Sequence, residues 1–320
     1  MIPRTRSHIR NRWFSRGLRS AFACCLLALG TACSGLPPHP EIDARAEKFS
    51  ARRARAHYAA LAGLGERPPG SESAARARAY VERELGWAGA EVEEPVPDAL
   101  GDDSPVLAWL PGSSEERILV VAPWAPVLDG TGPDDTGVAT LLELARALSR
   151  QPSRYSVGLA VAVVAPPASA NGSDRQAIRT SGAALVESLQ ADGQLESIRA
   201  VLVLEPRAGT PARIARDLRS HPVFRNLFWR TAARLGHGGA FPEEGGWSTP
   251  EGVQGAFLSA GYGRVLSLVD EGKTPVRRDR AGEGAAVLPE PSAFEPVGAV
   301  AYEGLLALMA RLARVDAFTP

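Results

Sequence analysis

The sequence predicts an α/β protein, a three-layer α/β/α sandwich whose central sheet is mixed and largely parallel. Three observations lead there. After residue 60, short apolar segments alternate with amphipathic ones, the order expected when covering helices follow strands. Two of the apolar segments, 118–122 and 157–165, are continuous runs, which suits strands with helices on both faces. No internal repeat and no compositional break after residue 60 marks a second domain.

The elements follow in order. Residues 34–41, Ser-Gly-Leu-Pro-Pro-His-Pro-Glu, read as a tether rather than a helix. A helix is predicted over 42–64, carrying Phe49, Tyr58 and Leu61 and stopped where Pro68-Pro69-Gly70 breaks the chain. Ser71 and Ser73 offer caps for a second helix over 74–85. Strands are expected at 91–96, 106–110, 118–122, 157–165, 200–204 and 264–269, and further helices at 136–148, 181–189, 222–235 and 296–312.

The first residues speak to compartment. Residues 1–20 hold six arginines and no acid, an apolar run from 21 to 29 follows, and Gly30-Thr31-Ala32-Cys33 closes it. A basic stretch, a short apolar stretch and small residues make a secretory signal. The run is shorter than the roughly 20 residues a bilayer span needs. Cys33 resembles the acylated cysteine of a bacterial lipobox, although Gly30 and Thr31 stand where that pattern prefers Leu and then Ala or Ser. The expectation is a lipoprotein-type signal over 1–33, a tether and the start of the N-terminal helix over 34–55, a domain over 56–314 and a tail over 315–320. The chain would be a membrane-anchored lipoprotein of the bacterial cell envelope, in the periplasm or on the outer membrane, or else simply secreted.

All three cysteines, Cys24, Cys25 and Cys33, fall within that leader, so the body has no disulfide, thiolate metal site or cysteine nucleophile. The full chain balances 36 basic against 36 acidic residues; loss of the leader takes six arginines and no acid, leaving a net charge of −6. A mildly acidic body argues against nucleic acid as a partner. A serine-hydrolase elbow, Gly-x-Ser-x-Gly between strand and helix, is absent.

Ligands of such sheets bind at the carboxyl ends of strands, here residues 123–136, 166–181 and 205–210. The first segment ends in Gly132-Pro133-Asp134-Asp135-Thr136-Gly137, followed by the helix Val138-Ala139-Thr140-Leu141-Leu142-Glu143-Leu144-Ala145-Arg146-Ala147-Leu148. On spacing alone, two aspartates at a helix start are a cap and a dipole partner worth about 1 kcal/mol. In its wider context, however, this stretch resembles the bridging-aspartate segment of metallopeptidase family 28, which comprises co-catalytic zinc aminopeptidases and the related glutaminyl cyclases. Two further segments are similar to that family: Leu64-Gly65-Glu66-Arg67-Pro68-Pro69-Gly70-Ser71-Glu72, with the helix and Gly89-Ala90-Glu91-Val92 after it, and Gly255-Ala256-Phe257-Leu258-Ser259-Ala260-Gly261-Tyr262. The likeness spans roughly 56–314 with the three motifs in order, and it implies a zinc-exopeptidase-like sandwich.

The resemblance also implies two zinc ions held by a histidine, a bridging aspartate, a glutamate, a second aspartate and a last histidine, with another glutamate as base. Asp134 matches the bridging aspartate and Asp135 its neighbour. Glu205 stands at the second aspartate. The first histidine, expected in a His-x-Asp pattern, is replaced by Pro123-Trp124-Ala125, so Pro123 and Ala125 are lost ligand positions. The expected Glu-Glu pair falls in Pro166-Pro167-Ala168-Ser169-Ala170-Asn171, with no carboxylate until Asp174. The last histidine should lie near 273–280, which holds none; none occurs between His57 and His221 or after His237. Two carboxylates without histidine or base cannot hold a zinc pair.

No resident cofactor is therefore expected; zinc is the ancestral metal, and residual metal binding would fall to Asp134 and Glu205. His221 reads as a cap or surface residue and His237 as a helix end. Arg277, Arg278 and Arg280 read either as a solvated loop or as a stand-in for metal charge that binds a carboxylate. Trp124 and Trp247 either line the former pocket or pack. Two functions follow: a pseudopeptidase of the envelope that binds a peptide or an envelope protein or serves as structure, or a hydrolase using a rearranged site at Asp134, Asp135 and Glu205.

Overall fold

The computed structural model describes residues 35–68, 70–93, 104–124, 135–163, 174–207, 212–246, 252–270 and 288–316, with the side chains of residues 163–181 outside the description. Residues 37–320 gather as one unit. Its strands are β1 (Glu91–Val92), β2 (Val106–Leu110), β3 (Arg117–Trp124), β4 (Ser156–Val163), β5 (Ile198–Glu205), β6 (Arg216–Asp217), β7 (Gly245–Gly246) and β8 (Val265–Val269). Among the described residues, six of these form one sheet in the order β1-β2-β4-β3-β5-β8, and β6 pairs with β7 apart from it. β4, β3, β5 and β8 run parallel, while β2 runs antiparallel to both β1 and β4. The mixed, largely parallel sheet is as the sequence predicts.

Helices cover both faces. They are α1 (Ala51–Ala62), α2 (Glu72–Trp87), α3 (Thr136–Ser149), α4 (Asp174–Ala191), α5 (Pro222–Arg234), α6 (Gly252–Ser259) and α7 (Glu295–Asp316). Side-chain alternation on β3 shows why a continuous apolar run is needed. Ile118, Val120, Ala122 and Trp124 join a core with α2, α3, α5 and α7, whereas Leu119 and Val121 join a second core with α4 and α6. α7 is long and apolar enough to cross a membrane, but its Val297, Val300, Ala301, Leu305 and Leu308 are buried, and the helix packs against α3 and α5.

The largest differences from expectation lie in the N-terminal segment, α4 and α6. α1 begins at Ala51, not at residue 42, because Ser50 takes the N-cap and accepts a hydrogen bond from Arg53 N. Residues 37–48, expected as a free tether and a first helical turn, instead lie bound to the domain by arginines. Arg53 donates to the carbonyls of Pro40 and Ile42, Arg146 to those of Ala46 and Lys48, and Arg150 to that of Ala44. α4 begins at Asp174, seven residues before the expected start, and α6 is a helix that its own sequence, with glycines at 252 and 255, does not announce. Close packing supports it: a Cβ on Gly182 of α4 would lie 2.9 Å from Val253 Cα.

A buried ion network ties α1 to α3. Glu143 is fully buried; it accepts from Ser50 N at 2.9 Å, Arg53 Nε at 3.1 Å and Arg146 Nη2 at 2.7 Å. Next to it, His57 and Tyr80 share a 2.8 Å hydrogen bond in the core.

Candidate functional site

The carboxyl edge of the sheet is assembled by β3, β5 and the start of α3. α3 comes close to β5 because residue 137 is glycine: a Cβ there would stand 2.8 Å from the Leu204 carbonyl oxygen. That approach sets Asp135, the N-cap residue of α3, deep at the sheet edge with no exposed surface.

Asp135 does not spend its side chain on capping α3. Its Oδ1 accepts from Arg67 Nη2 at 2.6 Å and from the indole Nε1 of Trp124, the last residue of β3, at 3.0 Å. Arg67 is itself buried, donates to the Leu61 carbonyl at 3.0 Å and lies 4.9 Å over the Trp124 ring. Through Oδ1, guanidinium and indole N–H thus neutralise and hydrogen-bond a carboxylate that has left water. The helix N-terminus adds a further favourable field.

Glu205 ends β5 at the same edge, and burial pushes its carboxyl up to about 7 against the opposing pull of Arg207. The pleat matters here. Val201 and Val203 face α4 and α6, so alternation places Glu205 on that side, whereas Trp124 follows Ile118, Val120 and Ala122 on the α3 side. Asp135 and Glu205 thus share an edge but stand toward different faces.

The remaining expected residues sort as follows. Pro123 lies in β3, paired with Ala162, and is half-buried. Ala125, Asp134, the segment 166–171, Trp247, the arginines 277, 278 and 280, and Cys33 lie outside the described residues, and so does the side chain of Asp174. His221 sits at the N-cap position of α5 but makes no cap bond; its ring lies 4.1 Å from that of Phe224, and burial followed by the charge of Arg264 lowers its pKa. His237 closes the C-terminus of α5 through its backbone N–H to the Ala232 carbonyl. Among the described residues, no three His, Cys, Asp or Glu side chains form a group able to hold a metal. At this edge the described groups are Asp135, whose Oδ1 is taken by two donors, the indole of Trp124 beside it and Glu205; the expected ligand positions 134, 166–171 and 273–280 lie outside the described residues.

Sequence reasoning passed over Arg67. It lies inside the stretch resembling the family's N-terminal signature, yet nothing in Gly65-Glu66-Arg67-Pro68 distinguishes a buried partner from a surface arginine.

The sequence matches no protein-family model and no curated protein. Solved structures do match in fold. A glutaminyl cyclase of Porphyromonas gingivalis superposes with a TM-score of 0.66 at 18% identity, covering 82% of this chain and 100% of its own. A leucine aminopeptidase precursor of Bacteroides thetaiotaomicron gives 0.65 at 16% identity, with coverage of 80% and 96%. A glutaminyl cyclase of an Acidobacteriales bacterium gives 0.62 at 17%, with 86% and 99%. The fold is that of the zinc-dependent exopeptidases and glutaminyl cyclases.

Proposed function

We propose that the chain is a lipid-anchored envelope protein on a zinc-exopeptidase fold that has exchanged hydrolysis for a binding or structural role. The observation that supports it most is the pairing of Asp135 Oδ1 with Arg67 and Trp124 at the carboxyl edge of the sheet. A guanidinium there supplies the positive charge a metal would bring, but it offers no open coordination position to activate water. The absent histidines point the same way. Cys33 carries the anchor in this reading, and the partner is a peptide or an envelope protein rather than nucleic acid.

Two assays test it on the purified chain: zinc content, and hydrolysis of aminoacyl anilides or cyclisation of N-terminal glutaminyl peptides with zinc, manganese or cobalt added. The proposal expects neither bound metal in stoichiometric amount nor turnover. Stoichiometric metal, with turnover abolished by Asp134→Ala, would instead establish a hydrolase built on Asp134, Asp135 and Glu205. Intact mass of the membrane-extracted protein reads the acyl group on Cys33.

A further inference from the structure

The bound N-terminal segment fixes where the chain leaves the domain. Arg83 of α2 donates to the Pro37 carbonyl, and its guanidinium lies 4.8 Å over the ring of Trp87. His39, two residues on from Pro37, bonds Glu84 at 2.6 Å and meets Trp87 edge-on at 4.6 Å. Trp87 is 58% exposed, the most exposed large apolar side chain among the described residues. With His39, Ala44, Arg146 and Arg150 it rims a crevice of about 140 Å³.

This cluster sits at one definite edge. β1 starts at Glu91, just after Trp87, and runs in the same direction as β3, β4 and β5, since both β1 and β4 are antiparallel to β2. Trp87 therefore lies at the amino edge of the parallel strands. α3 gives the separation: Asp135 precedes it at the carboxyl edge, Arg150 follows it at the amino edge, and 14 residues lie between, about 21 Å of helix.

Only Ser34, Gly35 and Leu36 separate Cys33 from Pro37, a reach of at most about 14 Å. A body of this length has a radius of gyration of about 19 Å, so a domain tied so closely is not free to present any side to the bilayer. Trp and Arg side chains are the pair suited to headgroup depth, with an apolar body and a polar or charged tip.

We propose that the edge carrying Pro37, Trp87 and Arg150 rests on a phospholipid surface, with Trp87 at headgroup depth and the Asp135 edge turned away from the membrane. This rests on acylation of Cys33.

The test uses the absence of other cysteines from the body. Acylated protein carrying Trp87→Cys or, at the opposite edge, Arg207→Cys is labelled with a fluorophore and reconstituted into phosphatidylethanolamine–phosphatidylglycerol vesicles with nitroxide headgroups. Gly86→Cys, at an exposed position with open space around it, reports the same edge with Trp87 retained. Quenching several-fold stronger at 86 and 87 than at 207 is the expected result. Equal quenching, or stronger quenching at 207, on protein that floats with the vesicles overturns the orientation and leaves the anchor standing. Protein that carries no acyl mass and fails to float overturns the anchor and the orientation together.

Discussion

At the scale of single residues, the unit of Arg67, Asp135 and Trp124 carries the account. Removing one partner of a buried pair strands the other charge, at a cost of about 3–5 kcal/mol. Arg67→Ala should lower stability by that order in denaturant melts. Arg67→Lys should recover only part of it, because an ammonium cannot both bond Asp135 and lie flat over Trp124. Asp135→Asn, which keeps the shape and drops the charge, should cost less in Arg67→Ala protein than alone; equal costs would show that the pair is not coupled.

His57 and Glu205 set opposite pH dependences. Burial, then the charge of Arg53, pushes His57 down to about 3 from an ordinary 6.5. As pH falls through that window, the unfolded chain takes a proton that the folded one refuses, and stability falls. Glu205 is raised from 4.5 to about 7; as pH rises through that window the unfolded chain loses a proton that the folded one keeps, and stability falls again. Partial exposure of Glu205 tempers its share. Between pH 4.5 and 6.5 the two oppose each other. In melts across pH 5–7, His57→Gln should acquire a fall in Tm with rising pH, and Glu205→Gln a rise. Slopes unchanged from the parent would contradict both assignments.

At the scale of elements, α3 is the organiser. Its first turn is pressed onto β5 through Gly137, its middle carries Glu143, and its end holds the N-terminal segment through Arg146 and Arg150. Gly137→Ala should push the helix start off the Leu204 carbonyl, while Glu143→Ala leaves Arg53 buried without its carboxylate. The second should cost about 3–5 kcal/mol and also raise amide exchange over residues 37–50, a coupling that hydrogen-exchange mass spectrometry resolves. Exchange there unaffected by Glu143→Ala would show the segment to be held by other means. These element-scale facts explain what was legible. α3 and the parallel strands were plain because apolar periodicity and burial coincide. The start of α1 was not, since side chains about a hundred residues downstream hold the carbonyls of Ala44, Ala46 and Lys48 out of a helix. α6 was missed because its glycines oppose helix locally and its support is tertiary.

At the scale of the molecule, the α/β layering and the largely parallel sheet were readable from alternation, and the solved structures share the fold. The site was readable only in part: absent histidines are a property of the sequence, but the pairing of Asp135 at the carboxyl edge was not. Arg67 sits 68 residues before Asp135, and no spacing rule joins an arginine in a Gly-Pro loop to a helix start so far away. On the proposed reading, this is a zinc-exopeptidase-like fold whose central edge is held by charge pairing within the chain.

Zinc titration followed by both calorimetry and thermal melting addresses that claim most directly. The closed edge predicts no stoichiometric heat of binding and a Tm unchanged by zinc or by a chelator. Binding of two zinc ions per chain, with a raised Tm that Asp135→Asn abolishes, would contradict it.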